Sequence, residues 1–161
     1  MRKRDFSREA GPGTAFLLAQ LGAYAASRFA ERLSPLQLKP ADAGILHLLR
    51  RAPGTSQQEL SGKLGAHPSR LVAMIDALEE RSLVERRVNA DDRRQYSLYL
   101  TKEGEALMQD LGRIAREHQE DLLGVLSKEE REELGRSLSK LADAHGLTPG
   151  VHPGYRSMRG E

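Results

Sequence analysis

From Thr14 to about Ser34, apolar side chains recur at helical spacing, with Leu18, Leu21, Ala25, Phe29 and Leu33 on one stripe. Pro35 closes that segment. A second helix is predicted to begin near Pro40 and to carry Ile45, Leu46, Leu48 and Leu49 until Pro53-Gly54 stops it. Ser56-Gln57-Gln58-Glu59 has the form of a capping box, in which the Ser hydroxyl meets an orphan amide and the Glu reaches back. The helix it opens is short and ends at Leu64-Gly65. His67-Pro68-Ser69 starts another, with Pro68 at the first helical position, where its missing N–H costs nothing. The apolar face of that helix is Leu71, Met74, Ile75 and Leu78.

The period then changes. Leu83–Val88 and Gln95–Leu100 read as two strands, the second alternating with Tyr96, Leu98 and Leu100 on one face. The polar run 89–94 joins them as a hairpin loop. Thr101 is predicted to cap a long helix whose stripe is Leu107, Leu111, Ile114, His118, Leu122 and Val125. Ser127-Lys128-Glu129-Glu130 is a second capping box, opening a helix with Leu134, Leu138 and Leu141. From Gly146 onward, Gly and Pro dominate and a flexible tail is expected over 146–161. Residues 1–13 are expected to form a flexible basic arm. The long outer helices carry stripes that the small central unit cannot cover alone, so a second subunit is their natural partner.

The chain has 161 residues, room for one domain. It contains no cysteine, which excludes disulfides, thiolate metal sites and thiol-based sensing. The net charge is only +2, which argues for no particular partner until it is divided along the chain. Residues 101–145 hold seven basic and eleven acidic groups, whereas residues 56–100 balance at seven of each. The basic start Met1-Arg2-Lys3-Arg4, followed by the apolar stretch 15–19, imitates a secretion signal, but Asp5, Glu9 and Gly11-Pro12-Gly13 interrupt it. No run approaches a membrane span. A cytoplasmic protein without a membrane partner is expected.

The central unit, Ser56–Ser82, has the proportions of a helix-turn-helix, a motif whose second helix enters the DNA major groove by its N-terminal residues. The appended hairpin, bearing Arg86, Arg87, Arg93 and Arg94, completes a winged version. A solvated αα-corner with a charged hairpin is the bland alternative. Enzyme signatures are missing: there is no G-x-S-x-G elbow, P-loop, G-x-G-x-x-G or H-E-x-x-H. No catalytic function and no cofactor are expected.

The run Gln58-Glu59-Leu60, Leu64-Gly65, Pro68-Ser69, Asp76-Ala77-Leu78-Glu79, Leu83-Val84-Glu85-Arg86, then Asp92-Arg93-Arg94 and Leu100-Thr101-x-x-Gly104 resembles the MarR family of bacterial transcription regulators. The resemblance covers about Thr14 to His145. It implies a mainly α, α+β winged-helix fold in one domain over 14–145. In that plan 14–38 and 102–145 are dimerisation helices and 39–101 the winged helix-turn-helix lobe. It also implies a homodimer that binds double-stranded DNA at a pseudo-palindromic operator, acting as a repressor relieved by a small aromatic or phenolic effector. A winged-helix module that binds another protein without DNA is the alternative function, since folds do not fix functions.

On this resemblance Arg94 of the wing enters the minor groove, where a narrow A·T-rich shape favours guanidinium. Arg93 touches phosphate. Asp92 holds Arg94 or Arg86 by charge-assisted hydrogen bonds and, with Arg86, orients the wing; its plainer reading is a turn Asp. Ser56 and Gln57, at a helix N-terminus, suit phosphate through amide and side chain. His67, Ser69 and Arg70 lie in the first turn of the recognition helix, Arg70 being the candidate to read guanine and Ala73 to meet a thymine methyl.

Where the family commonly shows a hydroxyl and a basic residue in mid-recognition helix, this chain has Val72 and Ala73, with Ala77 at another frequently polar position. Ser82 stands where Gly usually ends that helix in a left-handed cap. An effector cleft is implied near Leu17, Leu21, His47 and Arg51. His118 with Asp121 is a weak metal pair, and a histidine at a dimer interface is the better reading; no metal is expected.

Overall fold

The computed structural model describes residues 12–152 and Tyr155. Among these the elements run α1 Thr14–Leu33, α2 Pro40–Arg51, β1 Thr55–Ser56, α3 Gln57–Leu64, α4 Pro68–Glu80, β2 Val84–Val88, β3 Tyr96–Leu100, α5 Lys102–Leu123 and α6 Lys128–Ala144. This is the mainly α winged-helix architecture read from the sequence. The expected arm at 1–13 lies outside the described residues except for Pro12 and Gly13.

Each boundary has a local cause. Pro35 sits in a 3-10 turn, Ser34–Leu36, that ends α1. The Ser56 capping box is complete: Ser56 Oγ accepts the Glu59 amide at 3.2 Å, and Glu59 Oε2 accepts the Ser56 amide at 3.0 Å. Gly65 ends α3 in the left-handed conformation (φ 65°). The following turn is tied by the buried Ser61 hydroxyl, which donates to the Ala66 carbonyl at 2.8 Å.

The sheet has the order β1-β3-β2, all antiparallel, with Val84 opposite Leu100, Val88 opposite Tyr96, and Ser56 opposite Ser97. β1 was not read from the sequence. Two residues carry no period, and the strand exists because the Pro53-Gly54 turn delivers Thr55 and Ser56 to the free edge of β3, where Gly54 donates its amide to Leu98.

The junction of wing and long helix explains the Leu100-Thr101-x-x-Gly104 pattern. Thr101 Oγ1 caps α5 by accepting the Gly104 amide at 3.0 Å. Its own amide donates to the Leu83 carbonyl at 3.2 Å and its hydroxyl donates to the Ser82 carbonyl. α5 therefore presses on the start of β2, and a Cβ at Gly104 would overlap the Leu83 carbonyl oxygen.

The core is built from leucine and its relatives. Leu33, Ile45, Leu46, Leu49, Leu60, Leu64, Leu71, Ile75, Leu78, Val84 and Leu98 are sealed from solvent, and Met108, Leu111 and Ile114 of α5 close over them. The outer helices are different. Phe16, Leu21 and Tyr24 of α1 are 60%, 59% and 56% exposed, and Leu138 and Leu141 of α6 are exposed as well. The α5 stripe is buried at Leu111 and Ile114 but runs into solvent at Val125.

The expected flexible tail departs from its expectation at two residues. Val151 packs against the core and Tyr155 is buried, because Gly146 and Gly150, both at positive φ, fold the chain back onto α2.

Candidate nucleic-acid interface

α4 begins at His67, whose Nδ1 accepts the Ser69 amide and lies 2.7 Å from the Ser69 hydroxyl. The ring thus serves as the cap of the helix, a role normally taken by Ser, Thr, Asp or Asn. Pro68 follows at the first helical position. Leu71, Ile75 and Leu78 face the core. The opposite face presents Ser69, Arg70, Val72 and Ala73 to solvent. Beyond its first turn that face carries Val72, Ala73 and Ala77, with Asp76 and Glu80 as its exposed polar groups.

The wing hangs on Asn89 and Asp92. Asn89 Oδ1 accepts the amides of Asp91 at 2.8 Å and Asp92 at 3.2 Å. Asp92 Oδ1 accepts the Arg94 amide at 3.0 Å, and its Oδ2 accepts Gln95 Nε2 at 3.0 Å. The expectation that Asp92 holds a guanidinium of Arg94 or Arg86 is corrected. Both of its oxygens are occupied by the turn it shapes, so it sets the backbone under Arg94 and leaves that side chain alone.

Arg86 is held by others. Its Nη2 meets Asp76 Oδ1 at 2.5 Å, its Nη1 pairs with Glu79, and its Nε donates to Gln57 Oε1 at 2.8 Å. Its backbone amide also donates to Glu79 Oε1 at 3.2 Å. The side chain is only 16% exposed. Burial works against its charge, but the hydrogen bonds and ion pairs with Asp76 and Glu79 outweigh that and raise its pKa above the ordinary value. One planar fork therefore joins β2, α4 and the start of α3. Asp76, Glu79 and this use of Gln57 were missed in the sequence. The helical i, i+3 spacing of the two acids was visible, but nothing placed Arg86 above them.

The remaining arginines of residues 56–100 divide in two. Arg87 bonds to Glu85 and lies over the Tyr99 ring, 4.4 Å from its centroid. Arg81 donates to the carbonyls of Gln37 at 2.7 Å and Leu36 at 2.9 Å, tying the end of α4 to the α1–α2 connection. The guanidinium groups of Arg70, Arg93 and Arg94, by contrast, are exposed and unpaired among the described residues.

Arg94 shares a niche of about 310 Å³ with Ser56, Gln57, Gln58, Gln95 and Tyr96, which brings the wing root beside the start of α3. Ser56 itself is 8% exposed, and its amide and hydroxyl oxygen are taken by the capping box. The Ser56 amide is thus occupied within the helix start, and its hydroxyl proton remains to give.

A second cavity, of about 520 Å³, lies between α1, α2, α3 and α5, with Phe29, Ala43, Gly44, His47, Leu64 and Leu111 in its lining. Of the four residues expected near an effector cleft only His47 lines it. Leu21 and Leu17 lie about two and three turns up α1 from Phe29 and face solvent, and Arg51 is exposed at the far end of α2. Asp121 of the weak metal pair is bonded to Arg32, while the His118 ring packs at 5.3 Å from that of Phe29. Among the described residues no three His, Asp or Glu side chains converge as a metal site. No helix of the described residues is long and apolar enough to cross a membrane.

Comparison with known proteins gives a consistent picture. The sequence profile of the MarR family matches residues 38–96. A transcriptional repressor, CouR, whose structure was solved bound to a 23-mer DNA duplex, is 32% identical, with 81% of this chain and 92% of CouR aligned at a TM-score of 0.73. Apo MarR from E. coli is 25% identical over 81% of this chain and 96% of its own, with a TM-score of 0.72. A cysteine-to-serine variant of E. coli MarR complexed with operator DNA is 26% identical over 79% and 91%, with a TM-score of 0.69.

Proposed function

This chain belongs to the MarR family, and from that premise we propose that it is a sequence-specific regulator of transcription that binds double-stranded DNA as a homodimer on a pseudo-palindromic operator. It represses, and a small aromatic molecule releases it. The observation that carries the DNA reading is the division among the arginines of residues 56–100. Arg81, Arg86 and Arg87 are consumed by internal bonds, whereas Arg70, Arg93 and Arg94 are left unpaired on the edge formed by the recognition helix and wing. Arg70, with His67 and Ser69 beside it, reads a base edge; Ala73 meets a thymine methyl; Arg94 enters the minor groove; Arg93 and Gln57 bind phosphate.

Residues 14–38 and 102–145 form the dimer. The bare apolar faces of α1 and α6 support this, since Phe16, Leu21, Tyr24, Leu138 and Leu141 stand exposed on helices that a second copy would cover. The cavity beside α2, apolar over most of its wall, supports the effector.

Fluorescence anisotropy with the DNA upstream of the protein's own gene tests the reading. Affinity should fall steeply as salt rises, because each phosphate neutralised releases counterions. Sedimentation should give twice the chain mass. Binding to no DNA, or binding indifferent to salt, overturns the proposal.

A further inference from the structure

One wall of the cavity beside α2 belongs to neither the winged lobe nor the long helices. It consists of Gly150, His152 and Tyr155, from the chain beyond α6. Tyr155 is 4% exposed. Its ring lies on α2 at Gly44, where a Cβ would overlap the phenol oxygen, and its hydroxyl donates to the Ala41 carbonyl. Burial, aided by the negative charge of Asp42, pushes the phenol far above its ordinary pKa, so the group stays a donor at any physiological pH. Val151 adds an apolar contact, and its amide donates to the Thr148 carbonyl at 3.1 Å. Against these contacts stands the ordering of a Gly- and Pro-rich stretch, whose summed backbone entropy exceeds what burying one aromatic ring returns. A segment held by so few contacts can dock and release.

We propose that Gly150, Val151 and His152 together with Tyr155 form a lid on the cavity, anchored by Tyr155 in the Gly44 slot, and that the docked lid and a small aromatic ligand in the cavity stabilise one another. The idea rests on the ligand-responsive reading above and adds to it the part that closes the site. Volume decides the sign of the coupling. With the Tyr155 ring seated, about 520 Å³ stays open, within the roughly 300–1,000 Å³ range of small-molecule sites. Ring and ligand can therefore be present together, so Tyr155 acts as a wall and not as a competitor. The ligand class follows from that wall: Phe29 and Tyr155 offer ring faces and edges, and Leu64, Leu111 and Ala43 the remaining apolar surface. Because coupling is reciprocal, removing the lid must weaken the ligand, and the ligand must quiet the lid.

The experiment uses p-cresol as probe and the full chain as wild type, Tyr155→Ala and Tyr155→Phe. Affinity is followed by NMR titration and the Val151 amide by hydrogen exchange. Tyr155→Ala should bind p-cresol about tenfold more weakly, a moderate coupling, and Tyr155→Phe, which keeps the ring but loses the bond to Ala41, should show a smaller loss. Saturating p-cresol should slow exchange at Val151. Unchanged DNA affinity of Tyr155→Ala without p-cresol shows that the variant folds. Equal or tighter p-cresol binding by Tyr155→Ala, unaltered exchange at Val151, or no p-cresol binding to wild type overturns the lid. If p-cresol binds under the lid but leaves DNA affinity unchanged, the lid stands and the ligand-responsive reading falls.

Discussion

Arg86 of β2 donates its Nη2 to Oδ1 of Asp76, one turn before Glu79 on α4, at 2.5 Å. The pair fastens the wing to the recognition helix, so its value for DNA binding lies in position and not in contact. Replacing Arg86 by Met keeps the aliphatic stem but leaves Asp76 and Glu79 crowded without a cation. Stability should fall by about 1–3 kcal/mol, the scale of stranding hydrogen-bonded charges that are partly buried. DNA affinity should fall with it, although the side chain is turned inward. Arg86→Lys should not restore either property, because an ammonium cannot serve Asp76, Glu79 and Gln57 as a planar fork does. Urea denaturation and anisotropy measure the two losses, and a cycle with Asp76→Asn isolates the pair.

The unpaired arginines should separate by kind. Arg70→Ala should relax preference at a single operator base pair by about 1–3 kcal/mol. Arg94→Ala should weaken binding broadly and lower the slope of log affinity against log salt by about one. A panel of single-base operator variants read at three salt concentrations distinguishes them. Operator affinity unaltered by both substitutions would mean that this edge does not face DNA.

Ser82 adopts a φ of 55° at the turn from α4 into β2. The left-handed region costs an L residue about 1 kcal/mol or more, and glycine far less. Ser82→Gly should therefore raise the unfolding free energy by about 0.5–1 kcal/mol, less than the full conformational penalty because glycine also gains freedom in the unfolded chain. Chemical denaturation with an unchanged slope would register the gain.

Two glycines in helices should respond in opposite directions. A Cβ at Gly104 overlaps the Leu83 carbonyl, which is fixed by its bond from Thr101, so Gly104→Ala should destabilise by about 1–3 kcal/mol as α5 is pushed from the wing. Gly62, within α3, has nothing near its missing side chain. Gly62→Ala should instead stabilise by about 0.5–1 kcal/mol through helix propensity alone. Parallel thermal melts compare the two.

His118 packs beside Phe29 with its Nδ1 buried and without a hydrogen-bond partner among the described residues. Burial first, then the positive charges of Arg32 and Arg28, hold its pKa below the ordinary 6.5. The folded state thus binds fewer protons than the unfolded one between the two pKa values. The stabilisation is complete above about 6.5 and declines as pH falls toward the folded pKa. His118→Phe should flatten the loss of stability on acidification through that window, and unfolding curves at closely spaced pH values would reveal it.

Much of the fold was legible because its helices announce themselves. The capping boxes at Ser56 and Ser127 and the prolines at 40 and 68 mark starts that the structure keeps. The strand ends shift by one residue only, to Val84 and Tyr96. What could not be read depends on distant partners. β1 is defined by β3, more than forty residues later. Arg86 draws Gln57 from 29 residues away, and the two acids come from a helix whose rotation about its axis the sequence leaves open. Asp92 was misread for a related reason: a carboxylate among arginines suggests ion pairing, but the loop's own amides were nearer. Tyr155 gave no signal at all, since a lone aromatic in a Gly- and Pro-rich stretch looks like tail.

The two-residue strand β1 has an effect out of proportion to its length. It puts Ser56, the cap of α3, into the same hydrogen-bonded sheet as the wing, while Arg86 locks that sheet to α4. Within the lobe, α3, α4 and the wing are thus tied into one unit. In the dimer proposed above, a molecule lodged beside α2 would act on how the two lobes are set against each other, as with a pair of calipers. Sensitivity to an effector should accordingly vary when base pairs are added or removed between half-sites, and should be indifferent to sequence changes within them.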